Sequence, residues 1–272
     1  MSDEAQGPAA GPPTSLTVVD RVAHVVIERP AKRNALTMAM LERLRDHAGA
    51  VADAIAAGDV RAVVVSGSGT HFSAGLDLTD LAALATSVPD EDAIARVQEV
   101  FTAFEELDAP VLAAIDGVCL GGGLQLALAC HLRAVTSRAS LGVLEPRWGL
   151  VPDLGASWRL PRLVGQGRAT ELLVSARRVD AAEALHLGLA ELTLDGDDAR
   201  TAAHAVAARW AAGPEVLRAL PRLVRDAAGS GRAAALAAEA RLQRRILAGD
   251  DVGEAFRAAM EGREPHFGGA GG

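Results

Sequence analysis

The spacing of apolar positions changes several times along the chain, and each change marks an element. Two short runs, LTVVD and VAHVVIE, flank Asp20-Arg21 and predict a β-hairpin that Pro30 brings to a stop. From Thr37 to about Gly58 the apolar residues Met40, Leu41, Leu44, Ala48, Val51 and Ile55 recur at helical spacing, with Thr37 placed to cap the helix. RAVVVSG (61–67) is a continuous apolar run, the pattern of a strand covered on both faces. The order then repeats: a helix over 90–107, a strand over 110–115, a helix opening at Gly121 and a strand over 131–136. Strands alternating with helices indicate an α/β protein with crossover connections. From about Arg159 the spacing is mostly helical (168–175, 180–187, 197–212, 214–228, 231–248 and 251–261), with 189–194 as the one strand. These patterns divide the chain into an α/β core over 14–195 and a helical region over 196–272. Residues 1–13 are small, polar and rich in Pro and Gly, and predict a disordered tail.

Composition narrows the partners. The chain has 272 residues, half of them apolar, and a net charge of −8. That is enough to bury a large core, and the acidic balance argues against nucleic acid as the main partner. No apolar run approaches the ~20 residues of a membrane span and no charged-then-apolar leader opens the chain, so the expectation is a soluble cytoplasmic protein without membrane partners. Cys119 and Cys130 form no CxxC pair and read as small core residues, so no metal site is expected. Lys32 is the only lysine, and the Ala, Arg and Gly enrichment suggests coding bias, so arginine abundance says little about function.

The informative chemistry lies in two segments of one design, VVVSGSGTHFSAGLDL (63–78) and VLAAIDGVCLGGGLQLALA (111–129). Each runs from an apolar strand through a glycine loop into a helix. Glycine allows positive φ and a close approach of ligand to backbone, and a helix start adds unpaired N–H groups. Two such loops can aim one N–H each at a single oxygen, making an oxyanion hole; alternatively the glycines only make tight turns. GGGLQL lacks the GK[ST] ending of a phosphate-binding loop and the GxGxxG spacing of a dinucleotide site.

HFSAGLDL, AAIDGVCLGGGLQLALAC, LEPRWGLVPDLGASWRLPRLVG and AAEALHLGLAEL follow one another as in the enoyl-CoA hydratase/isomerase (crotonase) family, which the chain resembles over about residues 15–267. RPAKRNAL (29–36) resembles that family's coenzyme A loop, and EAFRAAMEGREPHF its C-terminal end. The resemblance implies a spiral of repeated ββα units with a C-terminal helical trimerisation region, homotrimers or homohexamers, and an acyl-CoA thioester as substrate. Coenzyme A would enter as part of that substrate, with no separate cofactor. It places the oxyanion N–H groups on Leu76 and Gly122, and Ala74, Asp77 and Leu78 along bound CoA. It also makes Ala35, Gly75 and Gly121 substrate-binding candidates. Lys32 and Arg33 would meet the CoA phosphates, or else form a solvated turn. Two donors at a thioester oxygen stabilise an enolate, by roughly 3–4 kcal/mol each in a comparable acyl-transfer site.

The acids depart from the family's pattern. Hydratases of the family carry two glutamates; the first matches Gln125, whose amide can hold water but cannot accept its proton. The second matches Glu145, the leading candidate base, unless it is an exposed loop acid. Asp153 stands where dienoyl-CoA isomerases have an aspartate, or else caps a helix over 155–163. Trp148 would line the acyl pocket or join the core; His71 receives no role and His131 a structural one. These residues favour double-bond isomerisation of an enoyl-CoA. Hydration, and acyl-CoA binding with weak catalysis after loss of the first acid, are the alternatives.

Overall fold

The computed structural model describes residues 13–84, 86, 87 and 89–267, so nearly all of the tail expected over 1–13 lies outside the described residues. Strands β1 (Thr14–Val19) and β2 (Val22–Ile27) form the antiparallel hairpin, turned by Asp20 and Arg21, both at positive φ. Helix α1 (Met38–Ala57) begins where Thr37 Oγ1 accepts from the Met40 N–H at 3.3 Å, and ends at Gly58, φ +85°. The chain continues through β3 (Ala62–Gly67), α2 (Leu78–Leu84) and α3 (Glu91–Glu105), then β4 (Val111–Ile115), β5 (Val118–Leu120) and α4 (Gly122–Ala129). Next come β6 (Leu132–Val135), β7 (Ser140–Gly142), α5 (Ala156–Val164), α6 (Gln166–Ser175), β8 (Val179–Asp180), α7 (Ala181–Leu187) and β9 (Leu192–Thr193). Helices α8 (Ala199–Ala211), α9 (Val216–Ala228), α10 (Arg232–Leu247) and α11 (Asp251–Glu261) complete it.

Six strands form one sheet in the order β1-β2-β3-β4-β6-β9, parallel from β2 onward, and β5-β7-β8 form a second, smaller sheet. Each of the pairs β4–β5 and β6–β7 steps from the large sheet to the small one before its helix. That step is the repeated ββα turn of the spiral the resemblance implied. The short strands β5, β7 and β8 carry too few residues to show a period of two, which is why the sequence pattern did not reveal them.

Period two is visible where both sheet faces are covered. In β3, Val63 and Val65 enter the main core with Leu44, Phe101, Phe104 and Leu126, while Ala62 and Val64 face the other way. Helix α8 covers that second face with Ala199, Ala203, Ala207 and Ala211, a four-residue stripe of methyl groups that lets helix and sheet approach closely. Cys119 and Cys130 are buried as expected, and burial pushes the Cys130 thiol up to about 12.

Buried polar groups lock the elements next to the glycine loops. Arg133, fully buried on β6, donates to the carbonyls of Leu189 and Cys130 and pairs with Glu191. Arg159 on α5 donates to Glu105 at the end of α3 (2.6 and 3.0 Å) and to the Leu154 carbonyl (3.0 Å). His131 accepts from the Val111 N–H through Nδ1 and faces the Glu105 carbonyl through Nε2, so the ring is a neutral clamp between β4 and α3. Burial holds its pKa below the ordinary histidine value. Its structural reading stands.

Candidate active site: two unpaired amides and a buried carboxylate

Three chain segments meet edge to edge. The Leu36 N–H donates to Gly75 O and the Asp77 N–H to Leu36 O, both at 2.8 Å, joining the 29–36 loop to the first glycine loop. The Leu120 N–H donates to Ser73 O at 2.9 Å, joining the first loop to the second. This pairing pattern skips the Leu76 N–H, and Gly122 is the first residue of α4, whose N–H has no partner within the helix. Among the described residues neither N–H has an acceptor. The glycines put them side by side: at Gly75 (φ +98°) a Cβ would lie 2.9 Å from Leu120 O and 3.5 Å from Gly122 N. A Cβ on Gly122 would meet the Leu76 and Leu154 side chains at 3.4 and 3.6 Å, ordinary van der Waals contact. The two amides expected on Leu76 and Gly122 are therefore together, and the reading of the glycines as turns alone does not account for them.

A buried side-chain amide secures the first loop. Asn34, at positive φ, accepts from the Arg29 N–H (2.9 Å) and donates to the carbonyls of Ser68 (2.9 Å) and His71 (2.6 Å). Ser73 Oγ donates to Asn34 O and accepts from the Gly75 N–H. Arg29 adds an ion pair to Asp77 at 2.5 Å, and that hydrogen bond holds the Asp77 carboxyl below its ordinary value. The Asp77 side chain is thus a brace between loops, committed to Arg29 and the Thr79 N–H. Asn34 and Arg29 went unsingled in the sequence; RNAL is a turn signal, but nothing in it shows which carbonyls a buried Asn would reach. Lys32 and Arg33 are exposed on a short 3-10 turn (Pro30–Lys32), with Ala35 half-buried behind them; Ala74 is half-buried and Leu78 exposed.

Glu145 lies on another 3-10 turn (Glu145–Trp148), and its carboxyl is packed against Gly121: a Cβ on that glycine would meet Glu145 Oε1 at 3.3 Å. The residue is half-buried, so it is not an exposed loop acid. Its Oε1 accepts from Gln125 Nε2 at 2.7 Å, whereas its Oε2 is buried without a partner. Burial raises the carboxyl's pKa above the ordinary glutamate value, and the Asp153 charge adds to the shift; the Gln125 hydrogen bond works against it.

Three readings the sequence left open need correction here. Asp153 is not a helix cap: α5 begins at Ala156 with Gly155 before it, and no side chain from that stretch caps the helix. The N–H groups of Leu154 (2.9 Å) and Ala156 (3.1 Å) donate instead to Gln125 Oε1, a cap supplied from α4. With both acceptor positions filled, the fully buried Gln125 has no lone pair left for a water. Asp153 is exposed as a residue, yet enough protein surrounds its carboxyl for desolvation to raise its pKa, and its carbonyl accepts from Gln98 Nε2 at 2.6 Å. Trp148 is 61% exposed, so it is no core residue. A groove of about 1450 Å³ between α3, α5 and α9 has Asp153 and Leu154 on its wall, but not Leu76, Gly122 or Glu145. The amide pair and the Glu145 carboxyl lie off this groove, with the Leu154 side chain beside Gly122.

Comparison with known proteins identifies the family. A family model described as Enoyl-CoA hydratase/isomerase matches residues 18–270. A probable enoyl-CoA hydratase of Bacillus subtilis (strain 168) is 33% identical over 255 residues, covering 93% of this chain and 97% of its own. The mitochondrial Delta(3,5)-Delta(2,4)-dienoyl-CoA isomerase of Mus musculus is 39% identical over 199 residues, 69% of this chain and 60% of its own. A Thermobifida fusca YX protein solved in complex with CoA superposes with TM-score 0.76 at 34% identity, over 87% of this chain and 93% of its own; the same organism's acetoacetyl-CoA complex gives 0.77.

Gly75→Ala tests the amide pair. The added methyl meets a backbone carbonyl at 2.9 Å in a φ region that alanine avoids, so the loop must shift and carry the Leu76 N–H with it. The expected result is a stability loss of about 1–3 kcal/mol in urea unfolding. Turnover of a coenzyme A ester should fall ~10²–10³-fold in the fraction that remains folded. Wild-type turnover in this variant would remove Leu76 from the site.

Proposed function

The chain belongs to the enoyl-CoA hydratase/isomerase family and is an acyl-CoA enzyme of that family, and from this premise we propose that its reaction is migration of a double bond along an enoyl-CoA, with Glu145 carrying the proton. The observation behind this reading is the single free oxygen of Glu145, buried and unpartnered beside Gly121 and the unpaired amides. A thioester oxygen placed between the Leu76 and Gly122 N–H groups accepts both hydrogen bonds. Glu145, as carboxylate, takes a proton from Cα of a 3-enoyl thioester; the electron pair moves onto the thioester oxygen, and the two amides stabilise the resulting dienolate. The same carboxylic acid then protonates Cγ, giving the 2-enoyl thioester and restoring the carboxylate. Hydration would need a second group to hold and deprotonate water, and Gln125 has no free acceptor for that role. Asp153, with its raised pKa, is the other carboxyl acting on Glu145 and would tune the proton's affinity at one end of the allyl unit.

Glu145→Gln preserves size and hydrogen bonding while removing basicity. Isomerisation of a short 3-enoyl-CoA should fall ~10²–10⁴-fold with KM nearly unchanged. Efficient hydration of crotonyl-CoA by wild type, with that rate intact in the variant, would show that Glu145 is not the base.

Coenzyme A is read as part of the substrate, with its phosphates near Lys32 and Arg33. The CoA-bound neighbours support coenzyme A as part of the substrate, and the exposure of both side chains on the 29–36 loop supports the placement. The double variant Lys32→Ala/Arg33→Ala should bind CoA more weakly in calorimetric titration and show a shallower salt dependence, because exposed charge contacts are screened. An unchanged salt slope would move the phosphates elsewhere.

The C-terminal helices support a homotrimer, alone or paired into a hexamer. Helix α9 is strongly amphipathic, yet none of its residues is buried; Val224 is 66% exposed, and Phe256 and Met260 on α11 are 69% and 89% exposed. Apolar stripes of this extent call for a partner surface. No helix among the described residues is long and apolar enough to cross a membrane, and the cytoplasm is the compartment this reading assigns. Light scattering at micromolar concentration should give three or six times the chain mass, and a monomer would contradict the assembly.

A further inference from the structure

Gln125 occupies the place of a second acid, but its contacts give it a different task. Its orientation is fixed by chemistry: two backbone N–H groups, of Leu154 and Ala156, require the amide oxygen, and the Glu145 carboxylate requires the amide N–H. A flipped amide would set donors against donors and oxygen against oxygen. The side chain is fully buried, so the start of α5 and Glu145 Oε1 hang on one rigid group. Glu145 can then turn neither of its oxygens freely: Oε1 is held at 2.7 Å, and Oε2 is left buried and bare.

We propose that Gln125 is a positioning residue that pins Glu145 by Oε1, so that Oε2 alone carries the proton and the site works with one ionisable oxygen rather than a carboxyl pair. The inference rests on the isomerase reading for its reaction, but the hold of Gln125 on Glu145 holds for any reaction at this site. Two consequences follow. Because Oε2 has no protein partner and is buried, a proton resting there returns to substrate more often than it exchanges with solvent. Because Gln125 is neutral, the neighbouring charge that bears on Glu145 is that of Asp153. A carboxylate at 125 would stand 2.7 Å from Oε1, where two carboxylates cannot both ionise and must share a proton.

The test uses the full chain and two variants. Gln125→Met removes the donor and the acceptor at nearly constant volume; Gln125→Glu keeps an acceptor for Leu154 and Ala156 and changes the group facing Glu145. Glu145 is titrated without substrate by 13C NMR of labelled glutamate carboxyls, then kcat is followed against pH and deuterium incorporation is measured in D2O. In Gln125→Met the Glu145 titration should move to higher pH, because a hydrogen bond to the charged form is lost. The acid limb of kcat should follow it upward, since the working carboxylate is lost as pH falls through its pKa. With KM unchanged, kcat should drop ~10- to 100-fold, the scale of a misplaced catalytic group. Deuterium incorporation should rise severalfold. Gln125→Glu should split the titration into two steps and show both in the pH profile. If Gln125→Met does not fold, Gln125→Glu decides alone. Titration and wash-in unchanged from wild type overturn the proposal; so does an unsplit titration of Gln125→Glu together with a gain of crotonyl-CoA hydration, which would place residue 125 on water. A wild type inactive on 3-enoyl-CoA counts against the isomerase reading only, because the substrate-free titration still reports on Gln125.

Discussion

A backbone N–H must normally find an acceptor, and the proposed site depends on two that find none among the described residues. The loops around Leu36, Leu76 and Leu120 are sewn together by backbone hydrogen bonds at 2.8–2.9 Å, with a register that leaves Leu76 out. Gly122 escapes for a different reason, as the first residue of a helix. An unpaired amide shut off from water costs roughly 1–3 kcal/mol, so a loop that leaves one unpaired has to be held in place by its surroundings. Asn34, Ser73 and the Arg29–Asp77 pair do this from one side, and the covered sheet and α4 do it from the other. On the proposed reading, that cost is recovered when an oxygen with developing charge arrives between them.

The carboxylate side of the site follows the opposite logic. Here a neutral amide satisfies its neighbours completely, so that the one group left unsatisfied is an oxygen of Glu145. Both halves therefore concentrate the unmet hydrogen-bonding capacity of a buried region on the atoms that would touch substrate. Desolvation raises Glu145 above the ordinary glutamate range, which makes it a better proton carrier near neutral pH than a solvated carboxylate.

Much of this was legible in the sequence. The hairpin, α1 with its Thr37 cap, the alternating middle of the chain and the run of C-terminal helices all carry periodicity that survives into the structure. The two glycine loops were visible because positive φ and close approach leave a compositional mark. What could not be read were contacts made across the fold by single side chains. The acid at 153 looked like a cap because caps are local as a rule, and the actual cap comes from Gln125, 29 and 31 residues away. Asn34 and Arg29 act through carbonyls and carboxylates brought near only by the spiral. The two-residue strands β8 and β9 exist by pairing rather than by propensity, and the sequence showed only the longer apolar stretch around β9.

The three successive glycines at 121–123 also differ from one another in what they permit. At Gly121, φ is +50° and a Cβ would press on the Glu145 carboxyl; at Gly123 it would strike Ser73 at 2.7 Å. At Gly122, the residue with the unpaired amide, its nearest neighbours would be the Leu76 and Leu154 side chains, at 3.4 Å or more. The tolerance is inverted with respect to chemistry: the working position is the sterically free one, and its neighbours are the rigid ones. Evolutionary drift should therefore be able to erase the middle of the triplet while the proposed oxyanion hole survives. A signature that demands all three glycines will overlook working sites, whereas one that demands only the outer two will follow the geometry itself.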